Sequence, residues 1–487
     1  MSNAPQSQST SQVAAMRAEL SEIDASIRFS ALYFVISATF WLMIGTVLAL
    51  ITAYQSHESS FLAGCEYMTF GRLYPASINA MVFGWGNNAV FAIGLWIMAR
   101  LCRTPICNSA LLIVAGLFWN LGLSVGLVGI FAGDLTSVAL LELPGYATAL
   151  LLFSYALIGA WGILAFSVRK GQGAYVAQWY ILAALFWFPW IYAIAQFLVV
   201  WFPARGVVQS ITSTWYAYNL QNLWLTPMAL GAAFYVIPKV LGRPIHSYYL
   251  SVLGFTSLAL LGSWTGMAHL TGGPVPIWMT TTGIVTAVMM VIPTVSVGLN
   301  LYLTVKGTSG HIWRSPALRF IMFGTFAFVV YSLIDSVIAL PTLNEIVHFT
   351  RFSEGLDQTG VYGFFSMVMF GALYYMVPRL LKREWPSTAL IYLHFWGSAL
   401  GITVTVVALF VGGWFEGVQM NDATVPFLDI VQSTIPWLKA RSIGAVLLAL
   451  GHVAFAINFF WMLFATGSIR AKQGPTLLQS ANQEGAA

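Results

Sequence analysis

Charge is what this chain has least of: Asp, Glu, Lys and Arg make up 8% of its 487 residues, against about 25% in ordinary soluble domains. A chain this poor in charge cannot cover its surface for water, which excludes a soluble enzyme. Cysteine is nearly absent. Cys65, Cys102 and Cys107 are too few and too scattered for a disulfide framework or a zinc site, and are expected to be free thiols. The small basic excess, +5, sits in short loops rather than in a stripe, so nucleic acid is excluded as a partner. Residues 1–29 are polar and contain no short apolar run followed by a small-residue cleavage site, so they read as a cytoplasmic tail and not a signal peptide.

What the chain does have is apolar length. Residues classed as hydrophobic make up 59% and aromatics 15%. They gather into runs long enough to cross a hydrocarbon core of about 30 Å. Twelve such runs fall at 30–54, 74–99, 109–132, 144–168, 176–202, 214–239, 247–271, 275–305, 317–340, 356–380, 387–414 and 441–466. The expected fold is all-α: a polytopic integral membrane bundle of twelve transmembrane helices over 30–466, flanked by cytoplasmic polar tails at 1–29 and 467–487. With both termini inside, sixteen of the 21 Lys and Arg lie on the cytoplasmic side, while Arg72, Arg205, Arg351, Lys439 and Arg441 fall on the outer side. That bias agrees with the even count of spans. A bacterial inner membrane is the expected location. Gly122, Gly126, Gly129 and Gly133 give the third span a small-residue face suited to close helix packing.

Ionisable groups at membrane depth are costly and mark the first places to look for function. Asp335, His269, His394 and His452 are the ones the hydropathy profile buries. A lone buried histidine is more often a hydrogen-bonded packing group than a ligand. Asp335 is the stronger candidate, since an unpaired carboxylate needs a partner or a wet cavity. A bis-histidine heme, a second heme and a histidine-bound copper would together need about six inward imidazoles. The chain has seven histidines in all, and His57, His246, His311 and His348 fall in loops.

Several segments, in order, resemble subunit I of the C-family, cbb-type cytochrome c oxidases of the heme-copper oxidase superfamily. They are TFGRLYPASINA (69–80), WYAYNLQNLWLT (215–226), SWTGMAHL (263–270), LNEIVHFTRFSEGLDQTG (343–360) with YYMVPRLL after it, and LHFWG (393–397). The resemblance runs from about Arg28 to Phe464 and implies a twelve-helix scaffold holding heme b and copper. The departures lie where that chemistry would be. Ser77 stands where the family has an axial heme histidine in its second span. Leu356 and Gln358 replace the two heme histidines of the tenth. Tyr218 and Ala268 replace two copper histidines, His269 survives as the third, and the cross-linked tyrosine would lie near Gly262. His348 matches a histidine the family keeps near the heme propionates.

The resemblance therefore implies a paralogue that kept the bundle and lost its redox centre: a heme-free, copper-free subunit docking to membrane respiratory partners, cytochrome c-type subunits among them, or assisting their assembly. No catalytic residue is expected on that reading. Two alternatives stay open. One is an oxidase or nitric oxide reductase relative binding heme through groups such as Tyr218, His269, Gln358 or Ser77. The other is transport or proton conduction through the emptied space, with Tyr218, His269, Asp335 and His348 as a candidate polar cavity and Asp335 and His269 as relay groups. Emptied heme volumes must hold bulky side chains, lipid, quinone or water.

Overall fold

The computed structural model describes residues 4–171 and 173–465, with the side chains of 4–14, 17 and 309 outside that description. The expected C-terminal tail, 467–487, lies outside the described residues. Among the described residues every regular element is helical, as lipid requires of a backbone that must satisfy its own hydrogen bonds. Twelve helical spans are long and apolar enough to cross a membrane: α1 (Ala18–Gln55), α2 (Phe70–Cys102), α3 (Ser109–Ala132), α4 (Gly145–Ser167), α5 (Val176–Trp201), α6 (Val207–Leu241), α7 (Tyr248–Leu270), α8 (Ile277–Val305), α9 (Pro316–Ile338), α10 (Arg351–Leu381), α11 (Thr388–Met420) and α12 (Phe427–Phe464). All twelve apolar runs have their helix.

Local chemistry sets several boundaries. Ser247, Ser315 and Ser387 accept from the backbone amides of Leu250, Leu318 and Leu390, capping the starts of α7, α9 and α11. Gly133 (φ 96°) and Gly242 (φ 64°) end α3 and α6 in the left-handed region. Within α8 the regular helix breaks at Met290, three residues before Pro293, whose ring denies an amide and crowds the preceding turn.

Three spans form the inside of the bundle. The most apolar stretches of α2, α10 and α6 are 100%, 89% and 83% buried, whereas the others reach at most 56%. Each inner span carries a π-helical segment, at 80–86 in α2, 220–225 in α6 and 359–366 in α10. Around them the middle of the bundle is packed with rings. Phe188 stacks on Tyr155 at 4.1 Å and on Tyr192 at 5.3 Å, and Trp224 Nε1 donates to the Tyr155 hydroxyl (3.0 Å). The glycine face of α3 meets α4, where Gly122 and Gly126 sit against Leu151, Ala147 and Leu143.

Two expectations about boundaries need correction. Within the polar stretch 1–29 the described residues continue the helix of α1 back to Ala4, and its end at Ile23 and Ile27 is buried against the bundle. Asp24 accepts from Arg100 (2.5 and 2.9 Å) and from Trp96 Nε1 (2.9 Å), which fixes this extension to the end of α2. α10 begins at Arg351 rather than at 356 and α12 at Phe427 rather than at 441, so Arg351 and Lys439 lie within helical spans, and Arg441 is 6% exposed. Charge lowered the hydropathy of those turns; Arg351 and Arg441 pair with Glu354, while Lys439 is exposed.

Candidate functional site

The three π-helical segments border a cavity of about 270 Å³. Widened turns of this kind re-aim side chains and recur at functional sites. Met81 and Val82 reach it from α2, Gln221 and Leu225 from α6, and Val361 and Tyr362 from α10; α1 and α12 close it with Thr46, Leu50, Leu448 and His452.

At one end lies a buried ion pair. Arg441 Nη2 of α12 stands 2.5 Å from Glu354 Oε1 of α10, and Arg351 Nη1 reaches the other carboxylate oxygen at 3.4 Å. Glu354 is held here because α11 presents Gly413 and Gly417 to the start of α10. A Cβ at Gly413 would strike the Phe352 amide, and one at Gly417 the Ile346 carbonyl. Glu416 of the same helix accepts from the Arg351 amide (2.8 Å). Glu142, in the loop between α3 and α4, closes another part of the wall, accepting from Asn79 Nδ2 (2.9 Å); burial lifts its carboxyl above the ordinary glutamate range, with the Asn79 bond opposing.

The residues singled out by sequence are distributed as follows. Ser77 and Gln358 both face the cavity, and the Ser77 hydroxyl donates to the Tyr74 carbonyl (2.8 Å). Leu356 is not on its wall but packs with Tyr331, Ile338 and Val347. Tyr218 lines the cavity and stacks on His269, ring centroids 4.2 Å apart. His269 in turn meets His348 edge-on at 6.0 Å, and His348 stacks on Phe349. Burial holds His348 below the ordinary histidine range. Ala268 is fully buried against Ala287 and Ala339. Asp335 is 7% exposed, its Oδ1 lacks a hydrogen-bond partner, and it stands back from the cavity wall, near Tyr218 and Tyr331. Among the described residues no three of His, Cys, Asp or Glu come together as a metal-binding group.

Sequence reasoning missed the Glu354–Arg441 pair, Glu142 and the place of His452. For the pair a signal existed: Arg351, Glu354 and Asp357 recur every three residues, which puts them on one helix face. For Glu142 and His452 none did. The Thr46 hydroxyl donates to the Leu42 carbonyl (2.6 Å), so His452 Nδ1 must donate to Thr46 (2.7 Å). In the neutral ring the lone pair is then on Nε2.

Comparison with known proteins agrees with the fold. The family model described as cytochrome c and quinol oxidase polypeptide I matches residues 30–447. A cytochrome c oxidase subunit 1 homolog of Agrobacterium tumefaciens (strain T37) is 26% identical over 441 residues, covering 88% of this chain and 82% of that one. A cbb3-type cytochrome c oxidase subunit CcoN1 of Stutzerimonas stutzeri is also 26% identical, over 87% of this chain and 92% of its own. Among solved structures, a heme-copper terminal oxidase dimer studied by cryo-electron microscopy superposes with a TM-score of 0.73 at 13% identity, over 94% of this chain and 90% of that chain.

Proposed function

This chain belongs to the cytochrome c and quinol oxidase polypeptide I family, and from that premise we propose that it is a heme-free, copper-free member, a structural or assembly subunit of a respiratory complex in a bacterial inner membrane with both termini cytoplasmic. One observation carries the reading. Ser77 and Gln358, at two positions where the resemblance implies axial imidazoles, face one cavity and offer it a hydroxyl and an amide. Neither is a usual iron ligand. At the implied copper position the tyrosine ring of Tyr218 lies flat on His269, and two imidazoles, His269 and His348, do not make the three-nitrogen set such a copper needs. The residues present do not fit the cofactors the family implies, so no redox step is assigned to them. Function in this family rides on the site and not on the scaffold. Partners would be other membrane respiratory subunits, cytochrome c-type subunits among them.

The test is heme, iron and copper per polypeptide in protein purified in mild detergent, from a pyridine hemochrome spectrum and elemental analysis of one sample. Iron and copper far below one per chain, with no Soret band, is the expected result. Heme at one or two per chain would overturn it. The alternative reading, an oxidase or nitric oxide reductase relative with unusual ligation, rests on His452, the one histidine lining the cavity. It predicts that His452→Ala removes the heme.

A further inference from the structure

Arg319, in the first turn of α9 at the basic end of the bundle, is a charge without a counter-charge. It is 4% exposed. Its Nη2 donates to the Trp313 carbonyl (2.7 Å), while Nε and Nη1 meet no acceptor. None of the ion pairs among the described residues involves it. The rings of Tyr392 and Phe395, both from α11, lie over the guanidinium with centroids 4.4 and 5.4 Å from Cζ. Such rings attract the charge, yet they offer its N–H groups no oxygen. An arginine that only marks orientation extends its head to water. This one stays under two rings with donors unanswered, and a buried charge calls for an opposite charge.

The surroundings name the anion. Trp313, Tyr392 and Trp396 are each half-exposed, and the two indoles stack at 6.4 Å, the arrangement of aromatic side chains where hydrocarbon meets headgroups. Arg314, exposed at the end of the short helix Ser309–Arg314, adds a second positive charge. Residues 143–334 contain no Asp or Glu at all, so nothing in that long stretch offsets it. A free phosphate or an acidic segment of protein would use the charge and leave the rings bare. An anionic phospholipid uses both, its phosphate against the guanidinium and its glycerol and acyl chains along the rings. A zwitterionic lipid would bring a cation of its own to a place already basic. Since Tyr392 is half-exposed, it can turn aside to let a phosphate oxygen reach the guanidinium edge.

We propose that Arg319, with Tyr392, Trp396 and Trp313 around it, forms a binding site for one anionic phospholipid of the phosphatidylglycerol class, between the starts of α9 and α11. The site lies apart from the central cavity, and the proposal does not depend on whether the chain holds heme or copper.

The experiment uses the full chain, purified in mild detergent and stripped of lipid, then titrated with dioleoylphosphatidylglycerol or dioleoylphosphatidylcholine and read by native mass spectrometry. One phosphatidylglycerol per chain should bind about tenfold or more tightly than phosphatidylcholine. Arg319→Gln should lose that preference with an unchanged size-exclusion profile, and Trp396→Ala should weaken phosphatidylglycerol binding severalfold. Lys170→Gln removes an exposed charge from another loop at the same end and should leave the binding as it was. Excess inorganic phosphate should not displace the lipid. Equal binding of the two lipids, a wild-type preference in folded Arg319→Gln protein, or as large a loss from Lys170→Gln would overturn the proposal. So would displacement by inorganic phosphate, which would make this a site for a water-borne anion. Should Arg319→Gln fail to fold, the wild-type selectivity and the Trp396→Ala protein, altered only at a half-exposed ring, decide the matter.

Discussion

Two neighbouring parts of the same bundle are built on opposite terms. Around Phe83, Tyr155, Phe188 and Trp224 the interior is solid, with rings in mutual contact and the one indole N–H among these four answered by the Tyr155 hydroxyl. On the other side of the same turns of α2 and α6, and on α10, the interior is hollow and lined with polar groups, among them Ser77, Gln221, Glu354 and Gln358. Native interiors tolerate few voids. The solid part reads as scaffold, kept because it holds the helices together. The hollow part keeps its shape through its own fixtures, chiefly the Glu354–Arg441 pair across α10 and α12.

The largest effect should come from breaking that fixture. Arg441→Ala leaves Glu354 buried without its main partner and should lower stability by about 3–5 kcal/mol, while Glu354→Gln with Arg441→Met should recover most of the loss. Denaturant titration of the purified protein measures both, and an Arg441→Ala protein as stable as wild type would remove the pair from the account. Next in size is a paired truncation. Leu123 is fully buried between packed helices, so Leu123→Ala should cost about 2–5 kcal/mol. Leu448 borders the cavity, so much of its surface is already without neighbours, and Leu448→Ala should cost well under that. Equal costs would mean that the two regions are packed alike. Enlarging a residue reverses the comparison: Ala92→Leu, in the solid part, should destabilise by about 1–3 kcal/mol, whereas Ala445→Leu should be close to neutral.

The solid region was legible from sequence and the hollow one was not, for physical reasons. Apolar runs announce helices in lipid because the requirement on the backbone is the same everywhere along them, and all twelve expected spans are present. Ordered motifs such as WYAYNLQNLWLT located Ser77, Tyr218 and Gln358, which do share the cavity. Hydropathy, however, sums charge over a window without asking which way a side chain points. It therefore started α10 and α12 late and left Arg351 and Lys439 outside the spans. Leu356 and Gln358 are two residues apart, too close to share a helix face, and the structure sends one to a satellite core and the other to the cavity. Asp24 shows the same blind spot at the other end. A polar residue in a polar stretch gives no hint that Trp96 and Arg100 are waiting for it.

The smallest effect is a matter of pH. Glu142 sits in a loop outside the membrane spans, and burial raises its carboxyl above the ordinary glutamate range, against the Asn79 bond. Between the unfolded value and that raised folded value the native protein holds the proton more tightly than the unfolded chain does. Stability from this group therefore falls as pH rises through the interval, and above it the buried charge remains as a fixed cost. Glu142→Gln keeps an oxygen to accept from Asn79 and carries no charge at any pH. It should match the wild type at acidic pH, exceed it at neutral pH, and flatten the dependence between. Melting temperatures across that range, compared for the two proteins, measure this directly. A variant that runs parallel to the wild type at every pH would show that Glu142 is solvated through the cavity, and that the hollow region is wetter at this wall than its burial implies.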